Sequence, residues 1–210
     1  MVLAACLCAA GCAGPRHPGS GSTPGIRTPG LLVTPLFEPG PSTQRFASES
    51  GPVTRVRTAP DASGVWTSTT AGPGETSVLT LRRDAGGGVR LLSLVSGDRD
   101  AVCPEPGLVI EPAGGTLPHS AEGPCTIDGK PGTARTTLEE VPGDERDAPG
   151  PAHQRVRLTL EFAAWPATAR RTFDWRVGAG EGILEEHARL GVRVLGVTVR
   201  SRSRDMTRTP

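Results

Sequence analysis

The chain reads as mainly β, an antiparallel sandwich or closed barrel with one short C-terminal helix, preceded by a disordered tether. Three observations predict this. From about Pro52 onward, short runs of alternating apolar and polar residues are separated by turn residues, the spacing of all-β domains. Two of these runs alternate with a period of two, which implies one buried and one wet face. The 28 glycines and 21 prolines among 210 residues approach the composition of disordered chains, but much of that excess falls in residues 13–51 and 142–152.

Taken in order, residues 13–30 are rich in Pro, Gly, Ser and Thr and form an extended tether. Residues 31–37 (Leu-Leu-Val-Thr-Pro-Leu-Phe) interrupt it with an apolar patch. Pro35 cannot donate to a central ladder, so the patch docks on the domain or forms an edge strand. Residues 38–51 return to linker composition. The β-rich domain spans 52–200, and Gly64-Val65-Trp66 opens its first clear strand. Residues 76–81 and 89–95 are apolar runs joined through Ala85-Gly86-Gly87-Gly88, a hairpin. In 154–162, Val156, Leu158, Leu160 and Phe162 share one face; in 172–177, Phe173, Trp175 and Val177 do. Ile183, Leu184, His187 and Leu190 have helical spacing, which predicts a short helix over 181–190 stopped by Gly191. In 192–199 the apolar phase slips at Leu195-Gly196, where a bulge would bend the strand. Residues 201–210 form a basic flexible tail. With Arg200 it carries Arg202, Arg204 and Arg208, either as a contact to anionic headgroups and cell-wall polymer or as a frayed terminus.

The formal net charge is +1, and aromatics are limited to four Phe and three Trp with no Tyr. Neither a bulk basic field nor a stacking platform for nucleic acid is present, so no nucleic-acid partner is expected. Lys130 is the only lysine among 23 basic residues. The Arg bias accompanies abundant Ala, Gly and Pro, all favoured by GC-rich codons.

The first eleven residues are uncharged and almost wholly apolar, and Ala9-Ala10-Gly11-Cys12 closes them just before the Pro/Gly stretch. A small-residue run ending in Cys, between an apolar segment and a flexible one, resembles the lipobox of bacterial lipoproteins. Residues 1–11 would then be a signal peptide whose missing basic n-region places the true start upstream. The segment is too short to span a bilayer. Leu3-Ala4-Ala5-Cys6 is the closer four-letter match, but only Cys12 is followed by a polar tether. The resemblance implies that Cys12 carries a thioether-linked diacylglycerol, with a palmitate-class N-acyl chain. Two or three chains hold a protein on a membrane where one is marginal. The expected location is the bacterial cell envelope. Ala13 in place of Asp leans toward the outer membrane, facing the periplasm.

Cleavage before Cys12 removes Cys6 and Cys8, which leaves Cys103 and Cys125 as an even pair in an oxidising compartment. A disulfide between them is expected. A metal site drawing on His119 is the alternative, without CxxC spacing to support it.

Gly64-Val65-Trp66 also resembles the Gly-x-Trp start of lipocalin-like barrels. In that family the Trp plugs the closed barrel end against an Arg near the last strand, a role that Arg200 or Arg193 would fill here. The family's Thr-Asp-Tyr motif is absent, and Phe173-Asp174-Trp175 is no match for it. The resemblance implies a barrel with room for one small ligand, with Trp66, Trp175 and Arg200 at its floor or cavity.

No catalytic motif, cofactor site or metal set stands out. Of the four histidines, His17 lies in the tether, His187 on the expected helix, and His119 and His153 in expected loops. Glu139-Glu140 and Asp144-Glu145 read as a solvated acidic loop, and Asp128-Gly129-Lys130-Pro131-Gly132 as a turn. Three functions follow. A lipid-anchored, non-catalytic binding or structural domain with envelope partners predicts a filled core and an exposed patch. A lipocalin-like carrier of an apolar ligand predicts a cavity floored by Trp66. An envelope enzyme predicts His119 or His153 meeting a carboxylate in a cleft.

Overall fold

The structure, a computed structural model, describes residues 30–32, 35–142 and 153–210. The expected signal peptide, Cys12, the tether up to residue 29 and Asp144-Glu145 lie outside these residues.

Fifteen strands account for most of the described chain. They are β1 (Gly30–Leu31), β2 (Ser42–Ala47), β3 (Val53–Arg57), β4 (Val65–Gly72), β5 (Glu75–Arg83), β6 (Val89–Ser96), β7 (Arg99–Val102) and β8 (Leu108–Glu111). A 3-10 turn at Ala113–Gly115 precedes β9 (Thr116–Leu117). Then follow β10 (His119–Ile127), β11 (Lys130–Glu140), β12 (His153–Ala164), β13 (Ala167–Gly178), β14 (Gly182–Val194) and β15 (Val197–Arg208). Twelve of them form one antiparallel ring in the order β2-β3-β4-β5-β6-β7-β10-β11-β12-β13-β14-β15, closed by β15 on β2. The barrel alternative of the sequence reading is therefore the observed one. β8 adds to the first half of β6, and β1 pairs with β9 outside the ring.

Alternation decides which side chains fill the barrel. Val156, Leu158, Leu160 and Phe162 of β12 are buried, as are Phe173, Trp175 and Val177 of β13. They meet across the register pairs Leu158↔Phe173 and Val156↔Trp175. Outward positions carry cross-strand ion pairs, Arg135–Glu122 at 2.6 Å and Arg176–Glu185 at 2.6 Å among them. Exposed pairs of this kind contribute about 1 kcal/mol or less each.

The two barrel ends differ. One is rimmed by the β4–β5, β6–β7, β10–β11, β12–β13 and β14–β15 hairpins. The other is plugged by the segment before β2. There Leu36 and Phe37 are buried, and both their backbone N–H groups donate to Glu111 Oε2 at 3.0 and 3.1 Å. Phe37 meets Trp175 edge-on at 5.8 Å. The apolar patch at 31–37 thus docks on the domain, through Leu36 and Phe37 at its end and through Leu32, packed on the core, and Leu31, in β1, at its start.

Three expectations are corrected. No helix forms over 181–190: Gly182–Val194 is a strand, because β13 and β14 pair along their whole length with a register shift at Arg176/Val177. Leu195-Gly196 is not a bulge but the two-residue turn of the β14–β15 hairpin, with φ of 51° and 81°. The irregularity lies one step earlier, between Val192 and Arg193. Strands also extend past the limits that composition suggests. β2 lies within the expected tether, and residues 201–208 continue β15 rather than forming a flexible tail. β15 finds β14 as a partner, and that ladder orders it despite its polar sequence.

The Cys103–Cys125 disulfide is formed. It stands beside the short β7–β10 seam, which pairs Thr126↔Val102 and Ile127↔Ala101 and continues in Asp128 N–H donating to Asp100 O at 3.0 Å. Closing a loop of 22 residues restricts the unfolded chain by about 3 kcal/mol. Replacing both cysteines by Ala is therefore expected to lower unfolding stability by about that amount, read as a shift of the urea midpoint at constant slope. Leu195 occupies the left-handed region, where its Cβ crowds the backbone carbonyl and its apolar side chain offers none of the local hydrogen bonds that Asn or Asp make there. Leu195→Asn is expected to raise stability by about 1 kcal/mol in the same assay; an unchanged or lower midpoint would show the turn is not strained.

Candidate ligand cavity

The register of β13, β14 and β15 sets four inward-facing rows. From the open end inward they are Ala169–Val192–Arg200, Arg171–Leu190–Arg202, Phe173–Ala188–Arg204 and Trp175–Glu186–Met206. The innermost row is a polar centre in an apolar core. Glu186 is buried, and its Oε2 accepts from Trp175 Nε1 at 2.8 Å and from Arg55 Nη2 at 2.5 Å. Arg55 Nε also donates to Thr70 Oγ1 at 3.2 Å, and its guanidinium lies over Phe46. Burial works to raise the Glu186 pKa, but Arg55 and the indole N–H outweigh it, and the carboxyl stays below its ordinary range.

Above this centre Phe173 stacks on Trp175 at 5.3 Å, and Arg171 covers Phe173 at 5.0 Å. Arg171 is 6% exposed. It donates to Ser96 Oγ at 3.3 Å and to Ser77 Oγ at 3.5 Å, and stands 3.7 Å from Glu75. Burial lowers its pKa, with Glu75 and Glu186 opposing and Arg204 and Arg55 adding to the effect.

Beyond Arg171 the barrel opens into a cavity of about 530 Å³. Leu94, Ile127, Phe162, Leu190, Val192 and Val194 wall it. Trp165, Val199 and Arg200 belong to its lining near the hairpin tips, and Trp165 is 84% exposed. The volume is that of a small-molecule site. A second opening lies beside it. β15 pairs with β2 at its far end alone, through Thr207↔Ala47 and Arg208↔Phe46 and the Thr209 N–H bond to Arg45 O at 2.9 Å. Above those pairs a lateral cleft of about 330 Å³ runs between the residue 48–50 turn, Pro73–Glu75 and Arg202–Asp205. Arg171 lines both openings and the small interior pocket beneath them.

Of the residues singled out in the sequence, Arg200 lines the cavity and Trp175 the interior pocket below it. Trp66 does neither. It is buried near the plugged end, opposite Leu81. Arg193 and Arg200 are exposed at the open end, so the Trp–Arg pairing implied by the lipocalin-like resemblance does not form. Cys103 and Cys125 are joined to each other, which removes them as thiolate ligands beside His119. His119 lies on β10 with its Nε2 buried and without a hydrogen-bond partner, and burial lowers its pKa. His153 begins β12. The histidine that meets a carboxylate is His187, which bonds Asp205 through Nδ1 and receives Arg189 Nε at 2.6 Å, on the outer face of β14 and β15. Among the described residues no three His, Cys, Asp or Glu side chains gather to hold a metal ion.

The sequence reading missed Arg55, Arg171 and Glu186. Two signals were present. The inward parity of Phe173 and Trp175, extended back one step, puts Arg171 inside. Arg200-Ser201-Arg202-Ser203-Arg204 alternates strictly, as a strand does. No family model matches the chain, and neither a curated protein nor a solved structure matches it.

Removing the Glu186 charge leaves Arg55 buried without its counter-ion, so Glu186→Gln is expected to lose about 3 kcal/mol at neutral pH. A carboxyl held below its ordinary pKa stabilises the fold above the unfolded value and ceases to as pH falls through the folded one. The gap between wild type and variant should therefore close on acidification below about pH 4. Parallel stability curves down to acid unfolding would refute the assignment.

Proposed function

We propose that this chain is a non-catalytic, lipid-anchored protein of a bacterial envelope, tethered through Cys12, whose barrel holds an apolar small molecule in its open end. The observation that carries the reading is the cavity of about 530 Å³ walled by Leu94, Ile127, Phe162, Leu190, Val192 and Val194. Cavities of that volume with mostly apolar walls and a few polar groups suit small ligands. The anchor rests on the Ala9-Ala10-Gly11-Cys12 context and on the Pro/Gly/Ser-rich composition of the stretch behind it. Ala13 favours the outer membrane, facing the periplasm.

A second reading draws on one observation. Trp165, Leu195, Val197 and Val199 are exposed at the hairpin tips. Clustered apolar side chains on a surface suit docking to another envelope component, a protein or a cell-wall polymer. The two readings share one face of the molecule.

The test is mass spectrometry of the chain carrying Cys12→Ser, exported to a periplasm. The expected result is an extra native mass that disappears on denaturation and is lost in Val192→Trp, which fills the cavity. A bare polypeptide mass in both forms would overturn the carrier reading. In parallel, the Cys12 form should fractionate with membranes and the Ser form should not.

A further inference from the structure

We infer that the cavity takes an anionic amphiphile, an apolar chain ending in a carboxylate or phosphate, with the head bound by Arg171 together with Arg202 and Arg204. The inference rests on the carrier reading and names its ligand class.

The argument begins with charge. The inward faces of β13 and β15 bring Arg171, Arg200, Arg202 and Arg204 to one wall. Among the described residues, Glu186 and Glu75 approach them from inside the barrel, and Glu49 and Asp205 line the lateral cleft beside them, Asp205 bonded to His187. Glu186 is engaged by Arg55 and Trp175 through Oε2, and its buried Oε1 has no hydrogen-bond partner. Glu75 accepts from Ser96 Oγ at 2.9 Å and stands 3.7 Å from Arg171. Asp98, Asp100, Asp128, Arg99 and Lys130 lie on the opposite rim, where Asp128 bonds Arg99. The arginine wall thus carries more positive charge than its neighbours offset.

Hydrogen bonding points the same way. Arg171 is buried, yet its polar contacts are two hydroxyls at 3.3 and 3.5 Å and a carboxylate at 3.7 Å. Charge-assisted bonds run to about 2.7–2.9 Å. Arg204 Nε is shut off from solvent and has no partner. Guanidinium groups left in that state are costly, and an anion between them would supply the missing acceptors. Arg171 lines the cavity, the lateral cleft and the interior pocket alike, so a head bound there leaves its tail in the apolar chamber between Phe162, Leu190 and Val192.

The experiment is equilibrium dialysis of the Cys12→Ser chain against hexadecanoate, hexadecyl phosphate, hexadecanol and inorganic phosphate. Both anionic amphiphiles are expected to bind about tenfold or more tightly than hexadecanol, a difference of about 1.4 kcal/mol. Arg171→Met should erase that preference and leave hexadecanol binding unchanged, and Arg171→Lys should restore part of it. Arg204→Met, at a partly exposed position, gives the same readout should Arg171→Met fold poorly. Equal affinity for hexadecanol and hexadecanoate would overturn the head site and leave the carrier reading standing. Binding of none of the three amphiphiles would overturn both. Inorganic phosphate binding as tightly as hexadecyl phosphate would overturn the amphiphile in favour of a free anion.

Discussion

Closing twelve antiparallel strands into one ring encloses more interior than the strands' own side chains can fill. Eight strands make a barrel that side chains just fill, and diameter grows with strand number. This chain meets the excess in two ways. At one end Leu36 and Phe37 enter as a plug, and Glu111 receives their N–H groups so that the inserted backbone is not left unsatisfied. At the other end no such segment enters among the described residues, and the excess remains as the cavity. The ring is also unevenly sewn. β15 joins β2 by two residue pairs, and β7 joins β10 by two. The disulfide stands beside the second seam. Among the described residues no disulfide stands beside the first, and the lateral cleft opens there.

The charges inside follow from the same geometry. A wide barrel admits long side chains pointing inward, and Arg55 and Glu186 use that room to pair across it from β3 and β14. An ion pair so deep is weak evidence for stability, since taking both charges from water is expensive. Its clearer consequence is register. Glu186 must sit where Arg55 and Trp175 Nε1 can reach its Oε2 while Thr70 takes Arg55 Nε, which fixes β14 against β13 after the register shift at Arg176/Val177. The arginines nearer the mouth have no such partner set.

The strands easiest to read were those whose inward face is uniformly apolar. Val156 to Phe162 and Phe173 to Val177 alternate without interruption, and both are buried as the period predicts. β14 misled for a physical reason. Its pairs run Val177↔Ile183 and Arg176↔Glu185, so one extra residue, Leu184, is taken up. Inward positions then fall at 183, 186, 188 and 190. That spacing carries Ile183 and Leu190 into helical phase, and it places Glu186 where alternation would show an apolar residue. β15 misled in the opposite way. Arg and Ser on its two faces give no contrast of hydropathy, so a well-paired strand reads as a polar tail. The cavity was legible only as a general expectation of a barrel. Trp66 marks the filled end, and of the polar groups that shape the open end, Arg200, Arg202 and Arg204 sit on β15, whose pattern failed, while Arg171 sits on β13 just before the alternation that was read.

Strand length explains why the open end faces as it does. β12 to β15 run twelve or thirteen residues, whereas β2 and β3 run six and five. One wall of the barrel is therefore taller than the opposite one. The tall wall carries Trp165, Leu195, Val197 and Val199 exposed at its tip and Arg200, Arg202 and Arg204 inward. From Thr198 to Met206, β15 has no backbone partner on its second edge among the described residues. Such an edge invites pairing with other chains unless charges or irregularities guard it. The inward arginines and the bulge at Val192/Arg193 are guards of that kind. The same side chains that keep the edge from pairing also line the cavity mouth, so the charge that protects the strand is the charge that an entering anion meets.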